Sequence, residues 1–362
     1  MLELHAGFRA EQVLTLELSP SPGKYAGSEQ LDALYQKILE RVSALPGVQT
    51  AGASNHLPLS ISSTGSILSP MKVVGRGGDF DWAIGGIHRT ASEDYFRALN
   101  IPLRAGRFFD ERDTAQSPRV MILNESLARM AFPNENPIGK LMTFPARVER
   151  QYEVVGIVGD SYSWGHGGNT DQEFFLPLQQ RPTGALRLAI RTSLEPASLT
   201  ASVREAVRQC DPDLPIFNVK TMSQIVTEAT AKLRFAMLSL GAFALAGLIL
   251  SSLGIYGVMS YIVEQRTHEI GVRMALGAQS RDVLKLVIRQ GMILVLIGIP
   301  IGTAAALGLA VMLAGLLFGF TPFDPLTFTL VPLLLALVAL LACYIPARQA
   351  TKVDPMVALR WE

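Results

Sequence analysis

The chain has 362 residues, of which 49% are hydrophobic and 17% are charged, and its formal net charge is +1. This near-neutral balance, with no run of Lys and Arg interleaved with aromatic residues, argues against nucleic acid as a partner. The apolar residues are concentrated towards the C-terminus, because Asp324 is the only acidic or basic residue in 235–263 and 291–347 combined. The sequence therefore predicts an ordinary mixed domain over residues 1–231 and a membrane domain over residues 232–362.

Two β-α-β patterns frame the first domain. Each consists of an alternating strand, a segment with apolar residues at helical spacing, and a second strand, and Ser28 is the expected N-cap of the first helix. The predicted strands are 13–18, 48–54, 186–191 and 216–220, and the predicted helices are 28–44 and 196–209. Two such units separated by a long insertion predict a split ferredoxin-like module.

The insertion, about residues 60–182, predicts a second, smaller α+β lobe. Its predicted strands are 84–90, 120–123 and 152–158, its helices are 92–99 and 125–131, and the stretch 104–117 is rich in turn residues. We expect neither catalysis nor a bound metal or cofactor here, because the histidines lack metal-ligand spacing and no glycine-rich stretch continues into a phosphate-binding loop. Cys210 and Cys343 fall in different domains, so no disulfide is expected between them.

Three spanning helices are predicted in the second domain, at about 235–263, 292–320 and 327–345. Basic residues gather in the connection 264–290 and in the C-terminal tail, whereas the hairpin 321–326 has none. The positive-inside rule therefore makes 264–290 and the C-terminus cytoplasmic and places residues 1–231 in the periplasm or outside the cell. A further spanning helix is then expected ahead of residue 1, because the first 13 residues have no apolar core that could deliver the domain.

Small residues recur three or four positions apart along the first two predicted spans. Such stripes predict close helix packing, inside one subunit or in a dimer. The residues expected to pack are Gly247, Ser251 and Gly254 on the first span and Gly298, Gly302 and Ala306 on the second. No ionisable residue lies in the middle of a span, so the sequence indicates neither a proton relay nor an ion site.

Several motifs, in order along the chain, resemble one family. The loop sequence HEIGVRMALGAQSRDVLKLVIRQG is similar to the first cytoplasmic loop after the extracytoplasmic domain in MacB/FtsX-type ABC transporter permeases, whose pattern is EIGxRxAxGA. The C-terminal tail, from the Pro-Ala-Arg-Gln-Ala sequence to Ala-Leu-Arg, resembles the C-terminal signature of that family. In the first domain, the Asp-Tyr-Phe, Asn-Pro-Ile-Gly-Lys and Val-Val-Gly-Ile-Val-Gly-Asp sequences resemble the MacB periplasmic core domain.

The resemblance implies four spanning helices in the bacterial inner membrane, with a large periplasmic domain after the first helix. That first helix is the one that this chain lacks. It also implies that a separate cytoplasmic ABC ATPase binds the ATP. The residues that match the family's contact with the ATPase are Glu269, Ile270, Gly271, Arg273, Met274, Ala275 and Gly277. The other implied partners are a second permease unit, in a homodimer or pseudo-dimer, the lipid bilayer, and a periplasmic adaptor or outer-membrane channel.

The function implied is that of a permease subunit in a type VII ABC transporter that works by mechanotransmission and exports antibiotics, peptides or other periplasmic substrates. Two alternatives share the same loop and the same kind of ATPase. One is an FtsX-like signalling permease that regulates a periplasmic cell-wall hydrolase, and the other is a lipoprotein-releasing permease. An extracytoplasmic domain of two lobes and more than 200 residues favours export, because the FtsX domain is smaller.

Overall fold

The structure is a computed structural model that describes residues 7–60, 68–75, 84–145, 147–161, 172–266, 279–314 and 325–350, together with positions 269, 272 and 276. The chain divides into two compact units, Met1–Lys232 and Leu233–Glu362. We call them the N-terminal unit and the C-terminal unit.

The described part of the N-terminal unit contains eleven strands, four helices and the beginning of a fifth. The strands are β1 Val13–Leu18, β2 Val48–Ser54, β3 Leu68–Val73, β4 Ile84–Ala91, β5 Leu103–Gly106, β6 Val120–Asn124, β7 Leu141–Phe144, β8 Arg147–Val158, β9 Glu173–Pro177, β10 Leu186–Thr192 and β11 Ile216–Thr221. The helices are α1 Ser28–Ser43, α2 Tyr95–Leu99, α3 Glu125–Ala131 and α4 Thr200–Cys210, the last preceded by the 3-10 turn Pro196–Leu199. The fifth helix, α5, begins at Met222.

The ferredoxin-like module is confirmed. Its four strands lie in the order β11-β1-β10-β2, all antiparallel, which interleaves the two β-α-β units. The alternation in β1 places Leu14, Leu16 and Leu18 on the face that α1 and α4 cover, where they are buried. One detail of the prediction is wrong: the N-cap of α1 is Gly27, and Ser28 is the first helical residue, with no side-chain capping bond.

The inserted lobe closes into a ring of six strands. The pairings run β4-β3-β7-β8-β6-β9 and then back to β4, with β4–β9 and β6–β8 parallel and the other pairs antiparallel. Side chains such as Met71, Met142 and Phe174 fill its core together with α3. Sequence patterns did not predict β3, β5, β7 and β9, so they indicated the mixed composition of this lobe but not its closure.

The two lobes share a third hydrophobic core, built around α2. Phe96 and Leu99 of α2 are fully buried there with Phe175 from the ring and Ala189 from β10. This core lies on the face of the ferredoxin-like sheet opposite α1 and α4. Both faces of that sheet are therefore covered.

The C-terminal unit consists, over its described residues, of long helices: α5 Met222–Gln265, which begins in the N-terminal unit, α6 Ser280–Ala314 and α7 Pro325–Ala350. All three are long and apolar enough to cross a membrane, as the sequence predicted. Helix α6 begins at Ser280, twelve residues before the predicted span 292–320, so its first turns lie within the segment 264–290. Charged side chains end a hydrophobic span but do not end a helix, whose backbone hydrogen bonds continue regardless of side-chain polarity. Positions 315–324, which include most of the predicted hairpin 321–326, lie outside the described residues.

Candidate functional site

The connection between α5 and α6 contains the residues expected to contact an ATPase. Of these seven, Glu269 is described, and the other six lie outside the described residues: Ile270, Gly271, Arg273, Met274, Ala275 and Gly277. Near Glu269, the backbone N–H of Leu276 donates to the carbonyl oxygen of Val272 at 3.0 Å, a helical spacing. The Leu276 side chain is 83% exposed. Leu276 is not among the predicted contacts, although it lies inside the same motif.

Local hydrogen bonds mark where α5 ends and where α6 begins, on either side of this connection. At the end of α5, the N–H of Arg266 is shared between the carbonyl oxygens of Ile262 and Val263, each at 3.2 Å. At the start of α6, Asp282 donates its N–H to the carbonyl oxygen of Gln279 at 2.8 Å and accepts from the N–H of Gln279 at 3.3 Å. A carboxylate in the first turn also suits the positive end of the helix dipole. The Asp282 contacts thus define where α6 begins.

The three helices of the C-terminal unit meet at a small apolar cluster. Met259 of α5, Val287 of α6 and Cys343 of α7 are buried there. Gly291, one turn beyond Val287, allows this approach, because an added Cβ would lie 2.5 Å from Sγ of Cys343. Gly291 is therefore a packing glycine that was not predicted. In the sequence it is only one glycine at the edge of an apolar run, and nothing there distinguishes it from the other glycines.

Beyond this cluster the helices leave an apolar groove of about 770 Å³. All three helices contribute to its walls, with Leu294 and Val295 of α6 and Phe328 and Leu335 of α7 among the larger side chains. Two hydroxyls on the walls donate to carbonyl oxygens of their own helices. Ser252 donates to Leu248, and Thr303 donates to Ile299. The groove is thus mainly apolar, and these two hydroxyls bond within their own helices.

The predicted packing residues fall mostly on this groove. Five of them line it, namely Ser251, Gly254, Gly298, Gly302 and Ala306, whereas Gly247 is not part of its lining. A Cβ added to any of the four glycines in the set would meet no atom within 4 Å. These small residues therefore border open space in this chain, and their role in packing stays a prediction.

The first turn of α5 is anchored within the N-terminal unit. Thr221 and Gln224 form a capping box, since Oγ1 of Thr221 accepts from the N–H of Gln224 at 3.1 Å and Oε1 of Gln224 accepts from the N–H of Thr221 at 2.9 Å. Met222 is fully buried in the core shared by the two lobes. Lys220 reaches forward to both carboxylate oxygens of Glu228, at 2.8 and 2.6 Å. Side chains on both sides of the junction thus hold the start of α5 on β11.

No group of three or more His, Cys, Asp or Glu side chains able to hold a metal ion is found among the residues that the structure describes. The polar contacts found in the N-terminal unit are ion pairs and hydrogen bonds within the fold.

Comparison with known proteins gives two family matches. The MacB-like periplasmic core domain matches residues 12–209, and the FtsX-like permease C-terminal domain matches residues 241–355. The first match alone covers more than half of the chain. Three apolar helices together with a periplasmic-domain fold fit a permease of the inner membrane.

Several curated relatives carry the name macrolide export ATP-binding/permease protein MacB. The protein from Azoarcus sp. is 28% identical over 288 residues, which is 75% of this chain and 42% of that protein. The protein from Wolinella succinogenes is 25% identical over 369 residues, covering 91% of this chain and 55% of its own length. The protein from Rhodospirillum rubrum is 30% identical over 281 residues, covering 74% and 42%. The chain thus spans about half of the length of these relatives.

Two solved structures are also similar. The periplasmic region of MacB from Actinobacillus actinomycetemcomitans has 19% identity and a TM-score of 0.40, covering 62% of this chain and 96% of that one. The extracellular domain of the noncanonic ABC-type transporter YknZ from Gram-positive bacteria has 18% identity and a TM-score of 0.35, covering 56% and 100%. On the two family matches, the chain belongs to the ABC transporter permeases that join a MacB-like periplasmic core domain to an FtsX-like permease C-terminal domain.

Proposed function

We propose that this chain is the permease subunit of an exporter that works by mechanotransmission, with ATP bound by a separate cytoplasmic ABC ATPase. ATP binding displaces the connection between α5 and α6. Helix α5 carries the displacement outward, and the two lobes of the N-terminal unit change their relative position. The substrates are antibiotics, peptides or other periplasmic compounds, in keeping with the macrolide export named for the relatives.

Helix α5 is the observation that carries this proposal. It has 44 residues, a length of about 66 Å at 1.5 Å per residue, whereas the hydrocarbon core of a bilayer is about 30 Å thick. Its first turn is held by the Thr221–Gln224 capping box and by buried Met222. Its last turn leads directly into the segment that resembles the family's ATPase contact. One continuous helix therefore joins the two places between which force has to pass.

The spans also fit a mechanism that needs no charged pathway. Residues 235–263 contain no Asp, Glu, Lys or Arg, and Asp324 is the only such residue in 291–347. Ionisable side chains inside spans usually mark ion or substrate routes. Their scarcity supports a substrate that is moved outside the membrane by the N-terminal unit.

The orientation and the remaining partners belong to the proposal as well. The connection and the C-terminus face the cytoplasm, because both are rich in basic residues. A second permease unit completes the membrane part, and a periplasmic adaptor or outer-membrane channel receives the substrate. Crosslinking of the N-terminal unit in cells separates the alternatives: an adaptor or channel supports export, a cell-wall hydrolase points to signalling, and an acylated protein points to lipoprotein release.

The direct test uses the complete transporter with its ATPase. Gly277→Pro and Arg273→Glu should lower export by about tenfold while ATP hydrolysis and expression continue, since a coupling of 1–3 kcal/mol is lost. Arg204→Glu on the exposed face of α4 is the matched charge-reversal control and should leave export unchanged. Unchanged export per ATP in both test variants would count against the proposed role of the connection.

A further inference from the structure

Arg187, the second residue of β10, contacts the strands on both sides of it in the ferredoxin-like sheet. It lies on the sheet face opposite α1 and α4. Its Nη1 donates to the carbonyl oxygen of Asn55, just beyond the end of β2, and its Nη2 donates to Oε1 of Glu17 on β1 at 3.0 Å. The Arg187 and Glu17 side chains are 12% and 20% exposed. Charge-assisted bonds from a largely buried, planar guanidinium fix both partners in position.

The contact continues from Glu17 to the strand that leads into α5. Oε2 of Glu17 accepts from Nδ2 of Asn218 at 3.1 Å. Asn218 has a left-handed backbone with φ of 48°, and the register between β1 and β11 shifts between Thr15 and Glu17. Asn218 lies three residues before Thr221, the capping residue of α5. The carboxylate of Glu17 therefore holds the irregular part of β11 immediately ahead of the helix.

At its other end the network reaches the inserted lobe. Oδ1 of Asn55 accepts from the backbone N–H of Thr90, on β4 of the six-stranded ring, at 2.9 Å. The side chain of Asn55 thus contacts the ring while its carbonyl oxygen contacts Arg187. The hydrogen bonds form one path from β4 through Asn55, Arg187, Glu17 and Asn218 to the start of α5.

Space beside this path allows its members to shift. A cavity of about 200 Å³ is bordered by Glu17 and Arg187 on one side and by Ile225 and Glu228 of α5 on another. Leu59 completes the wall, and it is buried although its backbone is left-handed, with φ of 59°. That conformation is uncommon for a bulky residue and costs about 1–3 kcal/mol, which the surrounding packing has to offset. The segment entering the inserted lobe is therefore held in a strained form next to the base of α5.

We propose that Arg187 is a positioning residue that couples the inserted lobe to α5 through Asn55, Glu17 and Asn218. This inference rests on the proposed function, because it names the route by which displacement of α5 reaches the inserted lobe. Replacing Arg187 by Met keeps an unbranched, flexible side chain but removes the guanidinium and with it both contacts. Replacing it by Lys keeps the charge without the planar fork that serves two partners.

Arg191 provides a matched control on the same strand and the same face. Its guanidinium donates to the carbonyl oxygens of Ala98, Glu11 and Arg9, at 2.8, 3.2 and 3.1 Å. It therefore makes three contacts where Arg187 makes two, but they hold α2 and the N-terminal segment. Loss of Arg191 tests for simple destabilisation of the sheet.

The experiment is hydrogen–deuterium exchange on the complete protein in a lipid nanodisc, without nucleotide. In Arg187→Met, amides of residues 55–60 and 216–224 should exchange about tenfold faster, because the loss of charge-assisted bonds releases both segments. Amides of 152–158 in the ring should not change. In Arg191→Met, faster exchange should be confined to residues 9–12 and 98–101. Glu17→Gln, a milder change, should affect 216–224 in the same direction as Arg187→Met, and Arg187→Lys should give an intermediate effect.

Three results overturn the coupling. The first is an unchanged exchange rate at 216–224 in Arg187→Met. The second is an increase in exchange at 152–158 as large as that at 216–224 in the same variant. The third is an equal increase at 216–224 in Arg191→Met. The exchange measurement needs neither ATP nor export, so it stands apart from the proposed function. In the working transporter, Arg187→Met should then lower export per ATP hydrolysed while Arg191→Met does not. If the unaltered protein neither couples to an ATPase nor exports, the proposed function fails whatever the exchange shows.

Discussion

Sγ of Cys343 lies 2.5 Å from the position that a Cβ atom on Gly291 would occupy, and Sδ of Met259 lies 3.4 Å from it. The absence of a side chain at one residue of α6 thus allows α7 and α5 to close around it. Sterically small residues at such points let helices approach when no hydrophobic effect drives them together in lipid. Among the glycines described in the C-terminal unit, Gly291 is the one at which an added Cβ would lie nearest to another atom.

Gly291→Ala should loosen the packing of α6 against α7. The added methyl group must displace Cys343, and overpacking of this kind costs about 1–3 kcal/mol. Labelling of the Cys343 thiol by a maleimide in detergent should become faster, because the side chain is otherwise buried. Gly308→Ala is the control on the same helix, where an added Cβ meets nothing within 4 Å. Equal labelling rates in the two variants would contradict the packing role of Gly291.

Gly52→Ala should destabilise the N-terminal unit. A Cβ at Gly52 would lie 2.5 Å from the backbone nitrogen of Tyr95 and 2.7 Å from the carbonyl carbon of Asp94, at the start of α2. Backbone atoms cannot move aside as a flexible side chain can, so we expect a loss of about 1–3 kcal/mol in the free energy of unfolding. Urea denaturation followed by circular dichroism measures it.

The control for Gly52 is Gly184→Ala, where an added Cβ has open space around it. This variant should keep the urea midpoint of the unaltered protein. The prediction is wrong if Gly52→Ala shows that same midpoint.

His88 should make the stability of the N-terminal unit depend on pH. Burial, with contributions from Arg181 and Arg89, lowers the pKa of His88 from 6.5 to about 4. The unfolded chain therefore takes up a proton before the folded one as the pH falls. The free energy of unfolding should be constant above pH 6.5 and should decrease by on the order of 3 kcal/mol on acidification to pH 4.

His88→Leu should reduce this dependence, and urea titrations at several pH values between 7.5 and 4 measure it. Some slope should remain, because burial also lowers the pKa of His56 well below 6.5. An identical slope in His88→Leu and the unaltered protein would exclude His88 as its source.

The elements that sequence patterns predicted well are those with strong local periodicity. Strand β1 and helix α1 carry apolar residues at spacings of two and of three to four, and their observed bounds match the prediction within one residue. Strand β3 was missed because it contains Pro70, a residue that is depleted from strands. Strand β5 was hidden in a turn-rich stretch, since four residues carry too little pattern to stand out.

Local pattern was sufficient for the division into a mixed and an apolar part, for the three spans and for the ferredoxin-like module, because each depends on periodicity or on the length of an apolar run. The closure of the inserted ring depends on β4 pairing with β9, strands more than 80 residues apart in the sequence. The path from Asn55 through Arg187 and Glu17 to Asn218 likewise joins the segment after β2 to β10, β1 and β11. Such contacts leave no periodic trace in the sequence, because they depend on which strands become neighbours, and only the tertiary structure decides that.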